Sequence, residues 1–144
     1  MWICGMSRKR KENEMRVILF RGKRIDNGEW VYGQYAYLLN ARTKDGEPIK
    51  HMIVDGTPFG QTVDPSTVGQ YTGLTDKNGV KIFEGDIVEG LDFSVDDGYG
   101  VVNWDDGGFL VFNGSLCGSF VENYNGRDFE VIGNIHDNRL EGDD

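Results

Sequence analysis

From Met15 to Ile135 the chain alternates short apolar runs with polar clusters centred on glycine, and almost none of these runs keeps a helical period. Runs rich in β-branched and aromatic residues and bounded by Gly, Asn and Asp predict strands joined by tight turns. Residues 16–21 predict a first strand, Asp26-Asn27-Gly28 a turn, and Glu29 to Leu38 a second strand that folds back on the first as a hairpin. A turn over Asn40 to Pro48, holding Thr43-Lys44-Asp45-Gly46, leads to a third strand at His51-Met52-Ile53-Val54 and a Gly/Pro-rich link through Gly60. Asp64-Pro65-Ser66-Thr67 is expected to form a turn or a single helical turn, with Val68 and Tyr71 entering the core.

Beyond the turn Asp76-Lys77-Asn78-Gly79, Ile82 to Glu89 reads as a charged turn running into a strand. Tyr99 to Trp104 and Phe109 to Phe112, joined by Asp105-Asp106-Gly107-Gly108, carry a clear hairpin pattern. Phe129 to Ile135 supplies a closing strand. A Gly-Asp-Ile-Val strand, a loop of about a dozen residues, a short hairpin and a closing strand are the parts of a small, strongly bent SH3-like barrel. Helical pattern is confined to Gly118 to Tyr124, whose glycine and asparagine limit its length. The expected fold is therefore mainly β, an aromatic-rich N-terminal β region packed with a C-terminal SH3-like barrel.

Composition supports that fold: 144 residues hold 21 glycines and only 3 prolines, as a hairpin-rich chain with many positive-φ turns requires. The length suits one domain, divided as 15–75 for the N-terminal β portion and 76–138 for the barrel, with an acidic tail at 139–144. Residues 1–14 share neither the pattern nor the composition of the rest and are expected to be a disordered extension. Charge divides the same way. Residues 1–24 carry eight Lys/Arg and two Asp/Glu, whereas residues 25–144 carry seven and 22. An acidic body opposes nonspecific contact with nucleic acid. Cys4 and Cys117 form no disulfide or zinc spacing, and no apolar stretch is long enough to cross a membrane or act as a secretory signal, so a cytoplasmic protein is expected.

The search for chemistry returns turn makers. Asp76, Glu84, Asp86 and Glu89, or Asp105 and Asp106, offer hard oxygen ligands, yet Asp76-Lys77-Asn78-Gly79 lacks calcium-loop spacing and Asp105-Asp106-Gly107-Gly108 is a hairpin turn. His51 and His136 belong to no H-x-x-x-H pair, Cys117 has no nucleophile signature, and phosphate-loop motifs are missing. No catalytic residue, cofactor or metal is expected.

Four blocks in order carry a family resemblance. They are Phe20-Arg21-Gly22-Lys23 with Gly28-Glu29-Trp30-Val31-Tyr32-Gly33; Val68 to Gly79; Ile82-Phe83-Glu84-Gly85-Asp86-Ile87-Val88; and Glu130-Val131-Ile132-Gly133-Asn134-Ile135-His136. Together the blocks, spread over Met15 to Asn138, resemble the YopX protein family. The resemblance implies a phage or prophage protein, predominantly β with an SH3-like portion and without an established activity. The leader and the acidic loop from Asp92 to Tyr99 depart from the family pattern.

The functional expectation is a non-catalytic interaction module. It would bind a host or phage protein, or itself as a homo-oligomer, through exposed strands and the aromatics Trp30, Tyr32, Tyr35 and Tyr37. The alternative is an acidic DNA mimic, because from Glu84 onward 15 acidic residues face only Arg127 and Arg139. Direct nucleic-acid binding would fall to Arg16, Arg21, Lys23 and Arg24 beside the basic leader. It fits the charge balance worst.

Overall fold

The computed structural model describes residues 16–58, 60–90, 99–105, 107–113, 116–119 and 129–137. Ten strands and no helix lie among them, in two five-stranded sheets.

The first sheet is built from β1 (Phe20–Arg24), β2 (Trp30–Arg42), β3 (Pro48–Val54), β4 (Gln61–Thr75) and β5 (Lys81–Phe83). β1 pairs antiparallel with β2, placing Phe20 opposite Gly33, and also with β4, placing Phe20 opposite Gln70. With β2–β3 and β3–β4 paired as well, the first four strands close into a small barrel. Its interior holds Ile53 and Val63, and Gly22 lets β1 lie against the Val63 side chain, whose carbons would stand 3.2 Å from a Cβ at that position.

The second sheet runs β10-β6-β7-β8-β9, with β6 (Asp86–Gly90), β7 (Tyr99–Asp105), β8 (Gly108–Asn113), β9 (Leu116–Ser119) and β10 (Phe129–Asn134). A meander whose last strand returns to pair with its first is the SH3-like order the sequence predicts. Its core is Ile82, Val88, Val102, Val111 and Phe129, with Leu74, Phe109 and Val131 packed against it. Ile82 comes from β5, so the last strand of the first sheet seals the second core.

Most of the predicted elements are present, with differences in detail: β2 runs on to Arg42 and β3 begins at Pro48, so the turn expected over Asn40 to Pro48 narrows to the residues between them. β1 begins at Phe20, whereas residues 16–19 form no strand; β1 extends to Arg24 because its ladder with β4 reaches Arg24 opposite Val63. Asp64-Pro65-Ser66-Thr67 is neither a free turn nor a helical turn but an irregular stretch inside the 15-residue β4. Asp64 does act as a turn maker, its Oδ1 accepting from the Ser66 N–H at 3.0 Å and hydroxyl at 2.8 Å, but the turn is absorbed as a bulge where the β1–β4 register shifts between Arg21 and Lys23. There the Thr67 hydroxyl accepts the Lys23 N–H at 2.8 Å and donates to the Asp64 carbonyl at 2.6 Å, which replaces the missing ladder bonds. Val68 is only half-buried while Tyr71 is buried, so the core-facing side chain beside the bulge is that of Thr67. The short helix at Gly118 to Tyr124 is also corrected: Gly118 and Ser119 belong to β9, paired with Val111 and Leu110, and the remainder lies outside the described residues. Of the two terminal segments, residues 1–14 and 139–144, both lie outside the described residues.

Candidate functional site

The two sheets meet at the two-residue turn Glu84-Gly85 between β5 and β6. Gly85 adopts φ +92°, a left-handed conformation that glycine tolerates best, and its N–H donates to the Val102 carbonyl at 2.7 Å while its carbonyl accepts from Ile135 at 2.9 Å. β4 reaches the same turn through Gly69, where a Cβ would lie 2.6 Å from the Glu84 carbonyl oxygen.

Arg21 on β1 is the central charge of this junction. The residue is 6% exposed, its Nη2 stands 2.8 Å from Asp86 Oδ1, and its guanidinium lies over the rings of Trp30 at 4.6 Å and Phe83 at 4.9 Å. The other Asp86 oxygen accepts the Phe83 N–H at 2.7 Å. Burial pushes the Asp86 carboxyl up, against the downward pull of Arg21. A cleft of about 450 Å³ opens beside the pair, walled by Tyr32, Lys81, Phe83 and Val131.

A second cluster closes the chain on itself. The turn after β10 brings Asp137 to the Lys23 ammonium, to the Trp30 indole N–H at 2.7 Å and to the Asn134 amide at 3.0 Å. Burial raises the Asp137 carboxyl, but these three donors outweigh it and hold the group well below the usual carboxylate range. His136 tilts against Trp30 with ring centroids 5.8 Å apart, and its Nε2 faces Gly85. Burial first, then the Arg21 and Lys23 charges, hold its imidazole below the ordinary value, with Asp137 and Asp64 pulling the other way.

The four aromatics singled out from the sequence fall into two groups. Trp30 and Tyr32 belong to the junction, Tyr32 meeting the edge of Phe83 at 5.6 Å. Tyr35 and Tyr37 surround His51 further along β2: the Tyr35 hydroxyl lies 2.5 Å from His51 Nδ1, and the Tyr37 ring meets the imidazole edge-on at 5.1 Å. The division falls at Gly33, where β2 leaves β1 and takes up β3, and where a Cβ would sit 2.0 Å from the Val54 carbonyl oxygen. Beyond this point Tyr37 to His51 form an arm of β2 and β3 that, among the described residues, pairs with no other strand. Tyr37 is 54% and Leu39 78% exposed on it.

Carboxylates weighed as metal ligands have other work. Asp76, 3% exposed, accepts backbone N–H bonds from Asn78 at 2.8 Å, Val80 at 2.9 Å and, from β10 of the second sheet, Val131 at 2.9 Å. Among the described residues no group of three or more His, Cys, Asp or Glu converges on a point where an ion would sit. Of the four cations proposed for phosphate, Arg16 is exposed, Arg21 is buried, Lys23 pairs with Asp137, and Arg24 pairs with Asp26 at 2.6 Å. Arg21, Asp86 and Asp137 are the junction residues that sequence reasoning missed as a set, since nothing local distinguishes them from surface charges. No helix among the described residues is long and apolar enough to cross a membrane.

A family model described as YopX protein matches residues 19–141. Among solved structures the chain is similar to the crystal structure of protein EF1440 from Enterococcus faecalis, at 24% identity over 85% of this chain and 95% of that one, with a TM-score of 0.47. No curated protein matches it.

Proposed function

The chain belongs to the YopX protein family, and we propose that it works as a non-catalytic interaction module, encoded by a phage or prophage and acting in the bacterial cytoplasm, that binds a host or phage protein or a further copy of itself. The observation that supports this is the β2–β3 arm. A two-stranded hairpin without a third strand is marginal in water, and its unpaired edges are templates for another chain. Here the arm also exposes Tyr37 and Leu39, side chains that gain from being covered.

The acidic-mimic reading draws on carboxylates that would have to face outward. Asp86 is buried against Arg21 and Asp137 is held by three donors, which takes two of them out of such a surface. The arm therefore carries the proposal better than the charge does.

Light scattering across a concentration series, with pull-down from host lysate, compares the wild type with L39K and with Y37S/L39K. The interaction reading expects a wild-type oligomer or a stoichiometric partner that both variants lose while their melting temperatures stay within a few degrees. A partner retained undiminished by both variants would refute the arm as the binding surface. A captured nuclease or polymerase displaced by duplex DNA would favour mimicry instead.

A further inference from the structure

The junction seats one titratable group, His136, whose charged form is disfavoured by burial and by the Arg21 and Lys23 charges. His136 Nε2 and Arg21 Nη2 approach the same glycine, lying 3.4 Å and 3.7 Å from where a Cβ of Gly85 would stand. Lys23 comes in from the same strand as Arg21 and lies 5.5 Å from the centre of the Trp30 ring that His136 packs against. The carboxylates around the imidazole already hold other donors, Glu84 of the Gly85 turn accepting the Gln70 N–H at 3.4 Å. From its own turn, Asp137 takes Lys23, Trp30 and Asn134; from β4, Asp64 takes the Ser66 N–H and hydroxyl; from β6, Asp86 takes Arg21 and the Phe83 N–H. Among the described residues no hydrogen bond holds the imidazole, whose place is fixed by Trp30 and the Gly85 turn.

We propose that His136 is a pH-sensitive latch on the junction between the two sheets: neutral, its ring seats against Trp30 and Gly85; protonated, it leaves that seat and uncovers the Trp30 face beside Arg21 and Lys23. The imidazolium would be a third cation beside Arg21 and Lys23, in a half-buried seat where its ring nitrogens have no protein acceptor among the described residues. Outside, water satisfies both N–H groups and screens the charge. The sign agrees with the downward shift of the imidazole in the closed junction. A group that titrates lower when closed than when free stabilises the closed form fully above its free value, and that contribution is lost as pH falls through the closed value. Asp86 works against this in part, since burial raises it and acid therefore favours its seated form. The latch has to act above the range in which Asp86 gains its proton.

Only three tryptophans are present, so a W2F/W104F background makes Trp30 the sole indole. In this full-length chain, Trp30 emission is followed from pH 8 downward together with far-UV circular dichroism, and the imidazole protons of the two histidines are followed by NMR. The expected result is a red shift of Trp30 with a single-proton midpoint below about 6.5, at constant circular dichroism, coinciding with one imidazole titration. H51Q keeps both the shift and that titration, and H136Q loses both. A shift that survives in H136Q or disappears in a folded H51Q overturns the proposal. So does a shift accompanied by loss of circular dichroism, or emission that stays constant down to about pH 4.5. Should H136Q fail to fold, the coincidence of the Trp30 midpoint with the imidazole titration that remains in H51Q decides the matter alone.

Discussion

Replacing Asp76 with alanine removes one carboxylate and strands three backbone donors, two in its own turn and one on β10. Hydrogen bonds to a charged acceptor contribute about 1.5 kcal/mol each at the low end of their range. Water replaces the carboxylate readily at the exposed Asn78 and Val80 but poorly at Val131, so the total loss is about 3 kcal/mol. Asparagine retains an oxygen for the turn but sets an amide N–H against the Val131 N–H, and it costs about 2 kcal/mol. Urea unfolding with a shared m-value is the assay. A D76A loss below about 1 kcal/mol, or a D76N protein as stable as wild type, would refute the assignment of Asp76 as the tie between the β4–β5 turn and β10. The pH dependence gives an independent check. Burial raises the Asp76 carboxyl, but the N–H groups of Val131, Val80 and Asn78 outweigh it and leave the group below its ordinary value. Its contribution is thus complete above the unfolded value, about 3.9, and is lost as pH falls through the lower folded value. The wild type should lose stability below about pH 4 more steeply than D76N does.

Two further substitutions test the junction and the arm. R21M leaves the Asp86 charge buried and unpaired and is expected to cost about 3 kcal/mol in thermal or urea unfolding, whereas R21M/D86L recovers part of that loss; a double variant worse than the single would argue against the pair as the source. G33A places a methyl carbon 2.0 Å from the Val54 carbonyl oxygen, so β2 and β3 have to separate. A loss of about 3 kcal/mol and shifted amide resonances from Gln34 to Val54 are expected, and an unchanged spectrum would contradict the close approach.

What the sequence discloses here is what neighbouring residues decide among themselves. Asp26-Asn27-Gly28, Asp45-Gly46, Asn78-Gly79 and Asp106-Gly107 all mark turns, and Gly28, Gly46, Gly79 and Gly107 all take positive φ. The hairpins around those turns follow from local pattern, and the barrel order follows from the hairpins. What stays hidden depends on residues far apart. Asp64 makes its turn, but the pairing of β1 with β4 decides that the turn becomes a bulge. Arg21 sits among cations and reads as a phosphate contact until Asp86 arrives from 65 positions away. Trp30 reads as one of four alternating aromatics, and its contacts with Arg21, with His136 and with Asp137, 107 residues on, assign it to the junction rather than to the arm. The family resemblance supplies the fold with no help for these contacts, because a matching block names a residue and not its distant partner.

The pairing of β10 with β6 sets an order of events during synthesis. β6 carries Ile87 and Val88 into the core, yet one of its two neighbours, β10, is made after every other described strand. The first barrel closes once β4 has emerged, whereas the second has to wait with an apolar edge uncovered until Phe129 to Asn134 appear. Chains interrupted before residue 129 would therefore combine a finished first half with an adhesive second half, and quality control of this protein hinges on β10 being made.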